Sequence, residues 1–110
     1  MKQYIVDELR LGESEKIKTY LDENAGHSKM DGIYRIELDK NILADIQAEH
    51  KECQPFYFAI NIKPASVSCE LLVRSRNIIR CNCISYATEA QRNWIIQFID
   101  SMFTKLEIIA

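Results

Sequence analysis

Phe56-Tyr57-Phe58-Ala59-Ile60-Asn61-Ile62-Lys63, then Pro64-Ala65, then Ser66-Val67-Ser68-Cys69-Glu70-Leu71-Leu72-Val73-Arg74, is the stretch on which the fold turns. In the first run Phe56, Phe58, Ile60 and Ile62 take every second position. In the second, Val67, Cys69, Leu71 and Val73 alternate with Ser68, Glu70, Leu72 and Arg74. A period of two sends alternate side chains to opposite faces of a sheet, so each run reads as a strand with one apolar side. Lys63-Pro64-Ala65-Ser66 supplies the turn between them. A third run, Ile78 to Tyr86, extends the pattern to an antiparallel β-meander over about 56–63, 67–74 and 78–86.

The register of the second hairpin follows from the cost of burying polar groups, because a slip of one residue reverses every side chain. A two-residue loop at Ser75-Arg76 would bury Arg80 and Asn82 opposite Leu71 and Cys69, which is costly. A three-residue loop, Ser75-Arg76-Asn77, pairs Val73 with Ile79, Leu71 with Cys81, Cys69 with Cys83 and Val67 with Ser85. This register directs Cys69, Cys81 and Cys83 to one apolar face, as buried thiols.

Downstream, Thr88-Glu89-Ala90-Gln91 has the spacing of a capping box, in which hydroxyl and carboxamide satisfy each other's backbone amides. Trp94, Ile95, Phe98, Ile99, Met102, Phe103 and Leu106 then recur at helical spacing, predicting a long helix over about 89–106 that covers the cysteine-bearing face. Ile96 falls off the stripe and reads as a solitary exposed isoleucine. The first half is less regular. Lys2 to Val6 is a short strand, and Ser14 to Asn24 is a helix carrying Ile17, Tyr20 and Leu21 and ended by Gly26. Asp31-Gly32 precedes a strand over Ile33 to Leu38. Asp39 caps a short helix through Ile42, Leu43 and Ile46 to about Glu49, and a loop runs from His50 to Pro55. The expectation is a single α+β domain, residues 1–110, in the order (β)αβαβββα.

A chain of 110 residues has the length for one core. Met1 to Leu11 lacks a secretory pattern, and no apolar run approaches the roughly 18 residues of a membrane span. These features predict a cytoplasmic protein with no membrane partner and its four cysteines reduced. A net charge of −2 provides no global field for nucleic acid, so any such role needs a local basic patch.

Four site readings follow. Cys69, Cys81 and Cys83, with His50 or Cys53 as fourth donor, make a chemically complete tetrahedral zinc set. The spacing contains no C-x2-C and the strand neighbours are apolar, so the leading reading is small hydrophobic filler with no cofactor, and zinc is the alternative. A Cys69–Cys83 disulfide would bridge Cα atoms about 4.5 Å apart, near the lower limit, and would be strained. Arg74, Arg76 and Arg80, with Arg92 nearby and Tyr57 and Tyr86 on the same sheet face, form an alternative platform for single-stranded nucleic acid. Glu70 on that face and the absence of any recognition motif argue for solvated arginines instead. His27 and His50 read as surface residues, and no nucleophile or phosphate-loop motif points to catalysis.

The outer sheet face is less polar than one in water should be, since Tyr57, Leu72, Ile78, Ile84 and Tyr86 accompany Arg80 there. Either the first helix covers it or it is an association surface, to which the tail isoleucines Ile108 and Ile109 could add. The resulting expectation is a non-enzymatic interaction module, forming a homodimer or binding a protein partner through Tyr57, Leu72, Ile78, Arg80, Ile84 and Tyr86.

Overall fold

The computed structural model describes residues 2–26 and 32–108. Readings that fall on Met1, His27, Asp31, Ile109 and Ala110 lie outside the described residues. The chain is α+β. Its elements are β1 (Gln3–Val6), α1 (Glu13–Ala25), β2 (Ile33–Glu37), α2 (Asp45–Glu49), β3 (Phe56–Lys63), β4 (Ser66–Glu70), β5 (Leu72–Ser75), β6 (Ser85–Tyr86) and α3 (Glu89–Lys105). Two single 3-10 turns, Lys40–Ile42 and Lys51–Cys53, flank α2.

The six strands form one antiparallel sheet built around the hairpin of β3 and β4, whose register pairs Ile60 with Cys69 and Ile62 with Val67. β2 lies on the other side of β3, pairing Tyr34 with Ile60 and Ile36 with Phe58. Gly32, at φ 81°, leads into β2. A Cβ there would stand 2.7 Å from the Ile62 carbonyl oxygen, so only glycine allows the close approach. β4 and β5 behave as one strand interrupted at Leu71: its first half is paired by β1 (Tyr4 with Cys69) and its second by β6 (Leu72 with Tyr86).

Alternation decides which face is buried. Phe56, Phe58, Ile60, Ile62, Val67, Cys69 and Val73 are sealed, while their neighbours are half-buried or exposed. Each such aliphatic or aromatic side chain stabilises the fold by about 1.5–3 kcal/mol. α3 packs on this face through Ile95, Ile99 and Met102, all fully buried, and the Trp94 ring stacks with Phe58 and Phe98. The capping box forms as expected: Gln91 N donates to Thr88 Oγ1 at 3.2 Å, and Thr88 N donates to Gln91 Oε1 at 3.0 Å.

α1 lies on the same side as α3. Its Ile17 and Leu21 are fully buried, and the Tyr34 hydroxyl donates to Asp22 Oδ1 at 2.8 Å. The outer face is therefore not covered by α1. Ile96 is half-buried against the core rather than solitary in solvent. The helix expected from Asp39 to Glu49 is split: Asp39 Oδ1 accepts from Asn41 N at 3.0 Å and caps only the first 3-10 turn, and Leu43 and Ala44 are extended before α2 begins.

The main correction concerns the third run. Residues 76–84 form no strand, and the return pairing is confined to Leu72 with Tyr86 and Val73 with Ser85. The expected Cys69–Cys83 and Leu71–Cys81 pairs do not exist, because β1 already occupies the edge of β4 that they required. Ile79, expected to point inward, is 91% exposed. Ile108 is buried against the core and is not part of an outer interface. Among the described residues, no helix is long and apolar enough to cross a membrane.

Candidate metal centre

His50 is the residue at which α2 ends, with its N–H donating to the Ile46 carbonyl at 3.2 Å. The chain then tightens into a 3-10 turn in which Cys53 N donates to the His50 carbonyl at 3.0 Å. Side chains at i and i+3 eclipse in such a turn, so His50 and Cys53 project to the same side. Their separation is Cys53 Sγ to His50 Nδ1, 4.0 Å.

The facing wall comes from the loop 76–84. Ser75, buried at the end of β5, fastens its beginning: Oγ donates to the Cys53 carbonyl and accepts from Asn77 N at 3.2 Å and Ile78 N at 3.1 Å. Asn77 Nδ2 donates to the Gln54 carbonyl at 2.5 Å, and Arg76 N to the Pro55 carbonyl at 3.0 Å. The loop is thus laid along the segment after α2. A turn closed by Ile84 N and the Cys81 carbonyl, 3.0 Å, then brings Cys81 and Cys83 over the 3-10 turn. Cys81 Sγ reaches 3.1 Å from His50 Nδ1.

Four donor atoms, from His50, Cys53, Cys81 and Cys83, lie within 4.8 Å of one another. This is the one group of three or more histidine, cysteine or acidic side chains placed to share an ion among the described residues. In a tetrahedral zinc centre, with Zn–S about 2.3 Å and Zn–N about 2.1 Å, donor atoms stand about 3.6–3.8 Å apart. The His50 distances of 3.1 Å and 4.0 Å bracket that spacing, so ligation needs side-chain adjustment and no refolding. Cys53 and Cys83 are fully buried, while Cys81 and His50 are half-buried at the rim.

The thiols are electrostatically linked. Burial pushes Cys53 upward, and it pushes Cys83 up to about 12, helped by hydrogen bonding to Cys81 and Cys53. Cys81 moves the opposite way, to about 7, chiefly through hydrogen bonding from the Cys83 backbone and then its side chain, with His50 and Cys53 adding to it against burial. One sulfur of the group thus carries negative charge readily, and a divalent cation would complete the ionisation of the other two. The Cys83 carbonyl accepts from the fully buried Gln47 Nε2 at 3.3 Å, which fixes the backbone behind that sulfur.

The donor set differs from the expected alternative of Cys69, Cys81, Cys83 and His50 in one member. Cys69 is fully buried, sits between Tyr4 and Ile60, and donates to the Glu70 carbonyl at 3.4 Å. Its pKa is raised to about 12 by burial and then by Glu70, as expected of an interior thiol. Cys53 takes its place, and the spacing His50-Lys51-Glu52-Cys53, three residues apart, was the signal for it. The single apolar face proposed for Cys69, Cys81 and Cys83 is dissolved by the same register change.

The basic residues do not converge. Arg74 lies beside Tyr57 on the outer face, but Nη2 is paired with Glu70 Oε2 at 3.0 Å. Arg76 is paired with Glu37 Oε1 at 2.8 Å, and Arg80 is exposed on the loop, away from the ladder. Of the expected association residues, Tyr57, Leu72 and Tyr86 do share the outer face, whereas Ile78 and Ile84 turn inward and pack against the core. No protein-family model, no curated protein and no solved structure matches the chain.

Proposed function

We propose that this chain is a zinc-binding α+β domain in which His50, Cys53, Cys81 and Cys83 hold one Zn2+ and so fasten the loop 76–84 to the turn after α2. The observation that carries the reading is the convergence of four soft donors, drawn from segments 31 residues apart, around one point. Three thiolates and an imidazole suit zinc, and four protein donors leave no open coordination position. The centre is accordingly structural and the domain non-enzymatic. It gives order to a loop that lacks ladder hydrogen bonds and that presents Ile79 and Arg80 to solvent.

The test is metal analysis of protein purified without chelator, together with cobalt substitution. About one zinc per chain and the visible bands of a tetrahedral thiolate–cobalt centre are expected. Metal-free protein that also fails to take up added zinc overturns the reading.

The outer face supports a second reading, association of two copies. Ile5, 57% exposed, and Tyr86, 47% exposed, lie on it with Leu72. Arg74 and Glu70 on the same face offer both charges, which a twofold contact can pair reciprocally. Light scattering after size exclusion would show a dimer, and a monomer at high concentration removes this reading without touching the first.

A further inference from the structure

The three sulfurs around His50 are not equivalent in access. Cys53 and Cys83 are fully buried, whereas Cys81 is half-buried on a loop without strand pairing. A small oxidant from solvent therefore meets Cys81 first. Two further sulfurs stand within 4.8 Å of it, so a thiol able to resolve an oxidised Cys81 is already in place. A disulfide needs Cβ atoms about 3.5–4.5 Å apart, and backbone free of a ladder can move to supply that geometry. Cys69, the fourth cysteine, lies in the sheet between β1 and β3 and is not a member of the group.

We infer that the Cys53–Cys81–Cys83–His50 centre is a hydroperoxide-responsive site that releases its zinc on oxidation, an inference that rests on the zinc reading above. The Cys81 thiolate attacks the outer oxygen of the hydroperoxide. The O–O bond breaks, the alkoxide takes a proton from solvent and leaves as an alcohol (water, for hydrogen peroxide), and Cys81 becomes a sulfenic acid. The thiolate of Cys53 or Cys83 then attacks the Cys81 sulfur. The S–O bond breaks, hydroxide leaves and is protonated to water, and an S–S bond forms. Two thiolates, one hydroperoxide and two protons thus give one disulfide, one alcohol and one water. The sulfur pair loses two electrons and the peroxide gains them. Zinc, left with one sulfur and one imidazole, dissociates as the hydrated ion, and the loop loses its anchor. A dithiol reductant returns both thiolates and allows zinc to rebind.

The experiment treats the zinc-loaded full chain with hydrogen peroxide, follows released zinc with a chromogenic chelator, and locates disulfides by peptide mass. Expected are release of the bound zinc, a disulfide that includes Cys81, a Cys69 that stays reduced, and recovery of zinc binding after dithiothreitol and added zinc. Cys69→Ala should release zinc at the wild-type rate. Zinc retained under a molar excess of peroxide overturns this inference and leaves the zinc reading standing, as does release that only follows loss of the far-ultraviolet helix signal. Protein that binds no zinc before peroxide is added overturns both.

Discussion

Gln91 and Gln47, both fully buried, are hydrogen-bonded to each other, with Gln91 Nε2 donating to Gln47 Oε1 at 2.8 Å. The pair joins three parts of the molecule. Gln91 Nε2 also donates to the Ile42 carbonyl at 2.9 Å, and its Oε1 closes the cap of α3. Gln47 Oε1 accepts from Ala44 N at 2.9 Å, and its Nε2 reaches the Cys83 carbonyl. Among the described residues, no buried side-chain nitrogen or oxygen lacks a partner, and these two carboxamides account for much of that at the junction of α2, α3 and the loop 76–84.

Gln47→Leu keeps the volume and removes the partners of Ala44 N and the Cys83 carbonyl and one of the two acceptors of Gln91 Nε2. Groups left unpaired in the interior cost about 1–3 kcal/mol each before relaxation, so a net loss of about 2–4 kcal/mol is expected in urea unfolding. Chelator competition should show zinc bound about tenfold more weakly, the usual consequence of losing an outer-shell partner. An unchanged unfolding midpoint would show that the pair contributes nothing to the junction.

Cysteine substitutions should divide into two classes. Cys53→Ser and Cys83→Ser each remove a donor and should abolish stoichiometric zinc. Cys69→Ala should retain full zinc and cost only about 1–2 kcal/mol, for a small cavity between β1 and β3. Loss of metal in Cys69→Ala, with Cys53→Ser still loaded, would reverse the assignment of donors.

Removal of the metal should destabilise locally first. At free zinc about a thousandfold above Kd, binding stabilises by about 4 kcal/mol, and a chelator withdraws that amount. Hydrogen exchange is expected to quicken over residues 76–84 and 50–54, while the amides of β3 and β4, bonded on both sides, stay protected. Uniform acceleration across the sheet would show that the centre supports the whole fold.

Tyr4 supplies an alkaline signature. Its hydroxyl donates to Asp100 Oδ1 at 2.8 Å, tying β1 to α3. Burial, followed by that hydrogen bond and the carboxylate charge, raises its pKa from 10.0 to about 12. The folded state thus holds the proton more tightly than the unfolded chain. The contribution to stability is complete below pH 10.0 and is lost as pH rises through about 12. Urea midpoints between those values should fall less steeply for Tyr4→Phe than for the native protein, and the variant should lose the last phenolate step in an ultraviolet titration. Identical slopes would show that the Asp100 contact does not persist in solution.

How far the fold was legible varied with the distance over which each decision is made. The hairpin of β3 and β4 is written in side-chain alternation across a short turn, and α3 in a capping box and a stripe that repeats within each two turns. For the candidate metal centre, His50, Cys81 and Cys83 are recognisable as donors by residue type, and the eclipsed spacing of His50 and Cys53 is present within a segment that otherwise reads as an irregular loop. That Cys69 stands apart from the group had no local sign, because its place beside Tyr4 is set by a strand from the far end of the chain. Ile78 to Tyr86 alternates well enough for a strand, and nothing within it shows that its place on β4 is taken.

The amino-acid sequence by itself determined the α+β class, the β3–β4 hairpin, the sealed face with Cys69 on it and the long helix above, because these depend on contacts between near neighbours. Only the tertiary structure decided where the other sulfurs go. β1, arriving from the far end of the chain, takes the edge of β4 through Tyr4 and Cys69, and an edge strand offers one row of hydrogen bonds to one partner. The returning segment, left with Leu72 and Val73 alone to pair with, swings its loop away from the sheet and brings Cys81 and Cys83 onto His50 and Cys53.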